Sequence, residues 1–560
     1  MLLGLLYQSY VFAFKPYVNR FEEMTKNPRD VQLARLSKIL DANRGSRFGR
    51  EHGFAAMQKW SDFSRAVPVR NYEDFSEYIE ASVNGEKSVL TREDPLMFAT
   101  TSGTSGQPKL IPVTAQYLKE YRRASIVSCY NLYRRYPGIA RGCSLGIISS
   151  AEEGRTPGGV PFGAISGAIH QNEPSIVKNV IAPMPYDILT LPDYETWYYA
   201  ILRAALTRPL AMVLTPNPST IVLLCGKLEV YGEALVKDLH DGTFKPPSGS
   251  LLSQFGDHRE LTVKDSRRAA SLGKLLEQGL FKPRHIWPEL SLLTCWTRSS
   301  AAFYLSRFPD YFEDIPVADM TYCASEGRGS VYLPSGKQVL AIDSHYYEFI
   351  AEEDIDDDEP EIKLADQLEV GRNYYILFTT SAGLYRYNLQ DVVRVTGFHN
   401  RTPVIEFQYR GGNVSSFTGE KVTELQVVDS MKGLAEECFG GGGFRYFSLV
   451  PRFSDRPFYE LFMELEKEAL EGGAYRQDSE AMADRFDLLL KERNIEYRSK
   501  RDSGRLGEVR VRELAPGAYE KIRRQVSEAG RADAQIKLSH LNPRSEVLAL
   551  IEALVCVKQH

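Results

Sequence analysis

"TTSGTSGQPKLIP", Thr100 to Pro112, crowds hydroxyls and glycines into seven consecutive residues and then reaches a lysine. Such a run is either a flexible connector or a loop that wraps a group carrying many negative oxygens. Its flanks bear on the choice. The apolar "LMFA" before it reads as a short strand, and "AQYLKEYRRASIVSCYNLYRRY" after it reads as a long amphipathic helix. A loop leading from a strand to a helix N-terminus offers unpaired backbone N–H groups, and glycine lets them approach an anion closely. Gly103 and Gly106 supply the open backbone, Ser102, Thr104 and Ser105 add hydroxyl donors, and Lys109 adds charge. The spacing is Gly103-x-x-Gly106-x-x-Lys109, not the GxxxxGK[ST] pattern of a P-loop. Spacing alone leaves both readings open.

Outward from this loop the pattern alternates. Residues 1–95 read mainly as helix, with apolar residues of "DVQLARLSKILDANR" at three- and four-residue steps. Strand-like and helix-like runs follow one another through "CSLGIISS", "PLAMVLTPNPSTIVLLCGKLEVYGEALVKDL" and "LSLLTCWTRSSAAFYLSRF", which predicts an α/β domain with a largely parallel sheet. From about 330 to 410 aromatic and β-branched residues alternate, as in "NYYILFTTSAGLYRYNLQDVVRVTGF", and predict antiparallel strands in a sheet or barrel. The acidic run "EEDIDDDEPE" between two such strands reads as a solvated loop before it reads as a metal site. "RGGNVSSFTGEKVTEL" (410–425) is polar and Gly/Ser-rich, and predicts a linker. Beyond it, strand- and helix-like segments predict a small α+β domain. The expected organisation is a domain over 1–412, a hinge over 413–428 and a second domain over 429–560.

Composition narrows the class. A chain of 560 residues exceeds one hydrophobic core, and 43% hydrophobic with 25% charged residues is ordinary for a folded soluble protein. A formal net charge of -5 carries no sign of a nucleic-acid surface. Seven scattered cysteines without a CxxC pair argue for reduced thiols in a cytoplasmic setting and against structural zinc. The apolar start "MLLGLLYQSYVFAF" lacks a basic leader and reads as a buried or amphipathic helix. No run of about 20 apolar residues predicts a membrane span.

The full stretch "TTSGTSGQPKLIPVT" resembles the nucleotide-binding signature of the GH3 family of acyl-acid amido synthetases, a branch of the adenylate-forming superfamily. The likeness recurs in order along the chain: "RFGREHGF" (47–54), "VPVRNYEDFSEYIE" (67–80), "YCASEG" (322–327), "LYRYNLQDVVRVTGFHNRTPVIEF" (384–407), "FYELFMELE" and "DAQIKLSHLNPR". It implies a large N-terminal adenylate-forming domain with α/β sheets and a β-barrel-like part, plus a small mobile α+β C-terminal lid. It also implies a two-step reaction in which ATP and Mg²⁺ convert a small carboxylic acid to an acyl-adenylate, and an amine, such as an amino acid, displaces AMP. Transfer to coenzyme A or another thiol, and a relative that binds nucleotide or acid without turnover, are the competing readings.

By the same resemblance, Ser102 to Gly106 with Lys109 would grip the phosphates. Tyr322 and Ser325 would lie against the nucleotide, and Glu326 would hold magnesium. Asp391 would accept the ribose hydroxyls, with Arg410 at the end of the next strand as a further ribose contact. The family pattern places a glycine before this aspartate, where this chain has Gln390. Lys537 corresponds to the adenylating lysine of the C-terminal domain, although Leu538-Ser539-His540 departs from the family's continuation. Lys421 is a second lysine at the expected hinge. The acyl pocket is expected around "GGVPFGAISGAIH" (158–170) and the helix after the loop. His345 and His399 are expected to be hydrogen-bonded structural histidines.

Overall fold

A computed structural model describes residues 2–101, 109–189, 191, 194–247, 259–297, 305, 307–355, 357–410, 414–416, 418–440, 443–466, 479–528, 538, 540–543 and 545–555. The chain divides into two compact units, one built from residues 1–101 and 109–409 and the other from residue 410 onward.

Among the described residues the large unit contains three sheets. Cys143–Gly146, Leu210–Leu214, Leu292–Cys295 and Val317–Asp319 pair in parallel. The run "LAMVL" is buried at four consecutive positions, the pattern of a parallel strand covered on both faces. The helices Tyr194–Ala205 and Pro218–Asp241 contribute to the same core. The seven-stranded sheet runs in the order Ile362–Lys363, Tyr346–Ala351, Asn373–Thr379, Tyr387–His399, Thr402–Arg410, Gln338–Leu340, Ser330–Tyr332. Its described pairings are antiparallel, as the alternation of aromatic and β-branched residues predicted. Tyr346, Tyr347, Phe349 and Tyr374 are each at most 1% exposed, so these rings form core rather than surface.

The third sheet corrects the reading of the opening stretch. Met97–Thr101 pairs antiparallel with Lys109–Val113, with Thr101 opposite Lys109. The loop therefore joins two strands and does not open a helix. "KLIPV" extends along its neighbour with Ile111 and Val113 fully buried, and Pro112 sits opposite Phe98. The helix Ala115–Arg135 begins only after the second strand. Its N-cap is Thr114, whose Oγ1 accepts from the Tyr117 amide at 3.2 Å.

The small unit packs Glu424–Phe439 and Ser479–Arg493 with a three-stranded sheet of Phe444–Arg452, Phe458–Leu465 and Arg510–Glu513. The segment expected to be a linker contributes to this core. Val414–Ser415 and Val422–Thr423 form a small antiparallel pair, and Val422 is fully buried. Glu420 is fully buried and accepts from the Thr418 amide and hydroxyl at 2.7 Å each, and from the Tyr459 hydroxyl at 2.6 Å. A polar sequence here means a buried hydrogen-bond network, not solvation. Among the described residues no helix is long and apolar enough to cross a membrane.

Candidate active site

The stretch "YCASEGRG" folds back on itself. Cys323 bridges Arg328, the Ala324 amide donates to the Gly327 carbonyl at 2.8 Å, and the Gly329 amide donates to the Tyr322 carbonyl at 2.9 Å. Glycine at 329 is a steric requirement: a Cβ there would lie 2.2 Å from the Tyr322 ring. The ring is fixed on its other sides by Phe407, stacked at 5.7 Å and 23°, and by the edge of Phe378 at 6.2 Å. Its hydroxyl donates to Asp391 Oδ2 at 2.7 Å. Tyr322 and Asp391 stand 69 residues apart in the chain and meet here.

Asp391 is 3% exposed and follows a distortion of its strand. Tyr375 pairs with Val392 and Leu377 with Asn388, so Ile376 faces the three residues Leu389, Gln390 and Asp391. Such a bulge re-aims a side chain. Gln390 takes φ 63°, the left-handed conformation for which glycine is the usual choice, and its amide donates to Asn388 Oδ1 at 2.7 Å. Its side chain is exposed, so the bend is kept without the glycine.

Glu326, 5% exposed, lies near enough to Tyr72 and Tyr117 to help raise both phenols, burial being the larger cause in each. The Tyr117 hydroxyl donates to the Ser325 carbonyl at 2.8 Å, tying the Ala115–Arg135 helix to the turn. The Tyr72 hydroxyl accepts from the Leu110 amide at 2.9 Å, and Lys109 Nζ stands over the Tyr72 ring at 4.9 Å and 4.0 Å from Glu73 Oε1. Tyr72 is thus a neighbour of both Lys109 and Glu326. The segment 158–170 joins the same neighbourhood, since Phe162 and Gly163 pair in parallel with Phe98 and Ala99.

Of the predicted residues, Lys109, Tyr322, Ser325, Glu326 and Asp391 all belong to the large unit. Ser102, Gly103, Thr104, Ser105, Gly106 and Lys537 lie outside the described residues, as does the side chain of Arg410, which ends its strand. Lys421 is half-buried in the small unit at φ 46°, and its carbonyl accepts from Asn494 Nδ2 at 3.2 Å. Tyr72, Tyr117, Phe378 and Phe407 had been given no role. All four are aromatic residues inside quoted motifs or regular elements, where nothing local separates a site wall from core.

The two histidines part company. His399 meets Glu22 Oε2 at 2.8 Å and joins its strand to the helix Lys15–Met24. His345 was expected to be hydrogen-bonded, yet neither ring nitrogen has a partner among the described residues. It is fully buried, stacked on Tyr117 at 5.4 Å, with Nδ1 4.0 Å from Glu120 Oε2. Burial, reinforced by Arg35 and Arg123, pushes its pKa down to about 3, so it is uncharged at neutral pH.

Three consecutive family models cover the chain: the GH3 family N-terminal domain over residues 17–317, the GH3 family central domain over 338–410 and the GH3 family C-terminal domain over 426–546. The chain belongs to the GH3 family. It is 26% identical to a probable indole-3-acetic acid-amido synthetase of Oryza sativa subsp. japonica, over 96% of this chain and 92% of that protein. It is 27% identical to a jasmonoyl-L-amino acid synthetase of Nicotiana attenuata, over 94% and 93%. Among solved structures it is similar to a GH3.15 acyl acid amido synthetase in complex with 2,4-DB, with a TM-score of 0.64 and 23% identity over 97% of this chain and 96% of the other. That likeness supports the fold.

Proposed function

We propose that this GH3 protein is an ATP-dependent acyl-acid amido synthetase, joining a small carboxylic acid to an amine, an amino acid, through an acyl-adenylate. The observation that carries this is the end-to-end match to relatives named for different acids, indole-3-acetic and jasmonic, which have amide synthesis in common. The reaction class transfers, and the acid does not.

A carboxylate resists nucleophiles because it carries negative charge and a poor leaving group. Adenylation removes both obstacles, and the protein's task is to position reactants and offset phosphate charge. In this reading Ser102 to Gly106 and Lys109 hold the phosphates. Asp391 receives the ribose, pre-aligned by the Tyr322 hydroxyl, and Tyr322 with Ser325 borders the base. Magnesium suits a site of one carboxylate plus substrate phosphates, and Glu326 supplies that carboxylate; among the described residues no cluster of His, Cys, Asp or Glu forms a self-sufficient cage. Lys537 offsets charge at the α-phosphate, Lys421 serves the second half-reaction, and Arg410 supports the ribose.

The decisive test is exchange of labelled pyrophosphate into ATP across a library of acids, followed by mass spectrometry with pooled amino acids and with coenzyme A. Amide products are expected. A thioester product would move the protein to the acid–thiol ligases, and absence of exchange with every acid would leave only a binding role. The departure at Gln390 gives no support to such a role, because the residue adopts a left-handed backbone, the conformation for which glycine is the usual choice.

A further inference from the structure

Three helices of the large unit, Lys15–Met24, Pro28–Asn43 and Ala115–Arg135, border with Asp343 a cavity of about 310 Å³. Its rim is exposed at Tyr17, Arg20, Asp30 and Lys38, which gives a ligand a way in, and Arg35, Arg123 and Asp343 are half-buried at its floor. None of Tyr72, Lys109, Tyr322, Glu326 and Asp391 lines it. The helix Ala115–Arg135 stands between the two places: its Tyr117 holds the Ser325 carbonyl, whereas its Arg123 and Val127 line the cavity.

Four cations and two carboxyl groups line this space, so positive charge is in excess. Glu120 adds a carboxylate behind the floor, 2.8 Å from Arg35 and 4.0 Å from Arg123. Arg20 and Lys38 at the rim make no hydrogen bond or ion pair among the described residues. Both floor guanidiniums donate to the Asp343 backbone carbonyl, Arg123 Nη2 at 3.3 Å, and no side chain among the described residues donates to the Asp343 carboxyl group. Buried polar groups normally find partners. Unpartnered nitrogens alone mark no site, since fully buried Arg203 has two. What differs here is an open cavity with cations on its rim and an unpaired acceptor at its floor.

We propose that this cavity is a second binding site, for a phosphate monoester of a small polyol, with the phosphate among Arg20, Lys38 and Arg123 and a hydroxyl donating to Asp343. A monoester carries about two negative charges at neutral pH, which matches the excess of cations over carboxyl groups in the lining. Inorganic phosphate would leave Asp343 without a donor, a monocarboxylate would leave cations unpaired, and a metal ion would meet like charge. The carbon frame has Val31 and Val127 to lie against.

The test is calorimetry on the full chain with glycerol 3-phosphate, glucose 6-phosphate, propyl phosphate and glucose. At least one of the two hydroxylated esters is expected to bind about tenfold tighter than propyl phosphate and about a hundredfold tighter than glucose. Arg20→Glu combined with Lys38→Glu changes exposed side chains only, so folding is not at issue, and should weaken that ester about a hundredfold. Lys109→Met, in the candidate active site, should leave its affinity unchanged. Asp343→Ala should bring the ester down to the level of propyl phosphate. Binding of neither ester, affinity no better than that of propyl phosphate, or wild-type affinity in the Arg20/Lys38 variant would overturn the proposal. Loss in Lys109→Met would place the phosphate in the Gly-rich loop and overturn it as well. Sedimentation with phosphatidylinositol phosphate vesicles, without binding of the free esters, would assign the cations to a lipid surface instead.

Discussion

Arg386 and Arg328 are buried guanidiniums of the same unit, and their surroundings are opposite. Arg386 Nε pairs with Glu348 Oε2 at 2.9 Å, and its Nη1 donates to the carbonyls of Ser64 and Val67 at 3.0 and 2.8 Å. Trp60 Nε1 completes the arrangement on Glu348 Oε1 at 2.9 Å. This is a closed network that staples the N-terminal segment to the seven-stranded sheet. Arg328 meets the hydroxyls of Ser125 and Thr321 and the Tyr121 ring, and no carboxylate among the described residues pairs with it. Burial of a charge is therefore no guide to its role until its partners are counted: Arg386 holds structure through a carboxylate, and Arg328 holds the turn through hydroxyls.

Arg386→Met should strand Glu348 as a buried, unpaired carboxyl and destabilise the large unit by about 3–5 kcal/mol in denaturant melts. Arg328→Met should cost about 1 kcal/mol or less. A comparable loss for both would erase the contrast. Next in size, Glu326→Gln should lower pyrophosphate exchange about a hundredfold at unchanged melting temperature, with partial recovery at raised magnesium. Wild-type turnover in that variant would remove Glu326 from the metal role.

Acid separates the two units by sign. Burial raises the Glu348 carboxyl, with Arg386 opposing; a raised carboxyl favours the folded state below its unfolded value and loses that contribution as pH rises through its folded value. Asp487 is desolvated too, yet hydrogen bonds from Arg501 and Tyr497 hold it below the usual range. Its contribution is present above the unfolded value and is lost as pH falls below about 3.9. Hydrogen exchange during acidification should show the small unit opening first, and Asp487→Asn should flatten that response. An identical profile in the variant would break the assignment. Smallest of all, Gln390→Gly should raise stability by ~0.5–1 kcal/mol, read as a higher melting temperature, because φ 63° strains any residue with a Cβ.

Much of the fold was legible because period and composition report burial directly. The run "LAMVL" and the alternation in "NYYILFT" each specify their strand type locally. Two readings failed for the same reason. "KLIPV" was read as the end of a loop leading into the helix, and "RGGNVSSFTGEKVTEL" was read as linker, since local polarity or position stood in for a partner that only tertiary packing supplies. The Thr101–Lys109 pairing makes the first a strand, and Tyr459 on Glu420 makes the second part of a core.

By itself the sequence determined most element types, the membership of the family and the residue kinds at the candidate site, because ordered motifs and hydrophobic period survive without coordinates. Only the tertiary structure decided that the strands flanking the Gly-rich stretch pair with each other, that Tyr322 reaches Asp391, that Gln390 takes a left-handed backbone, and that among the described residues no carboxylate pairs with Arg328. Each of these depends on groups far apart in the chain, and a one-dimensional pattern carries no information about which distant charge or ring will arrive opposite.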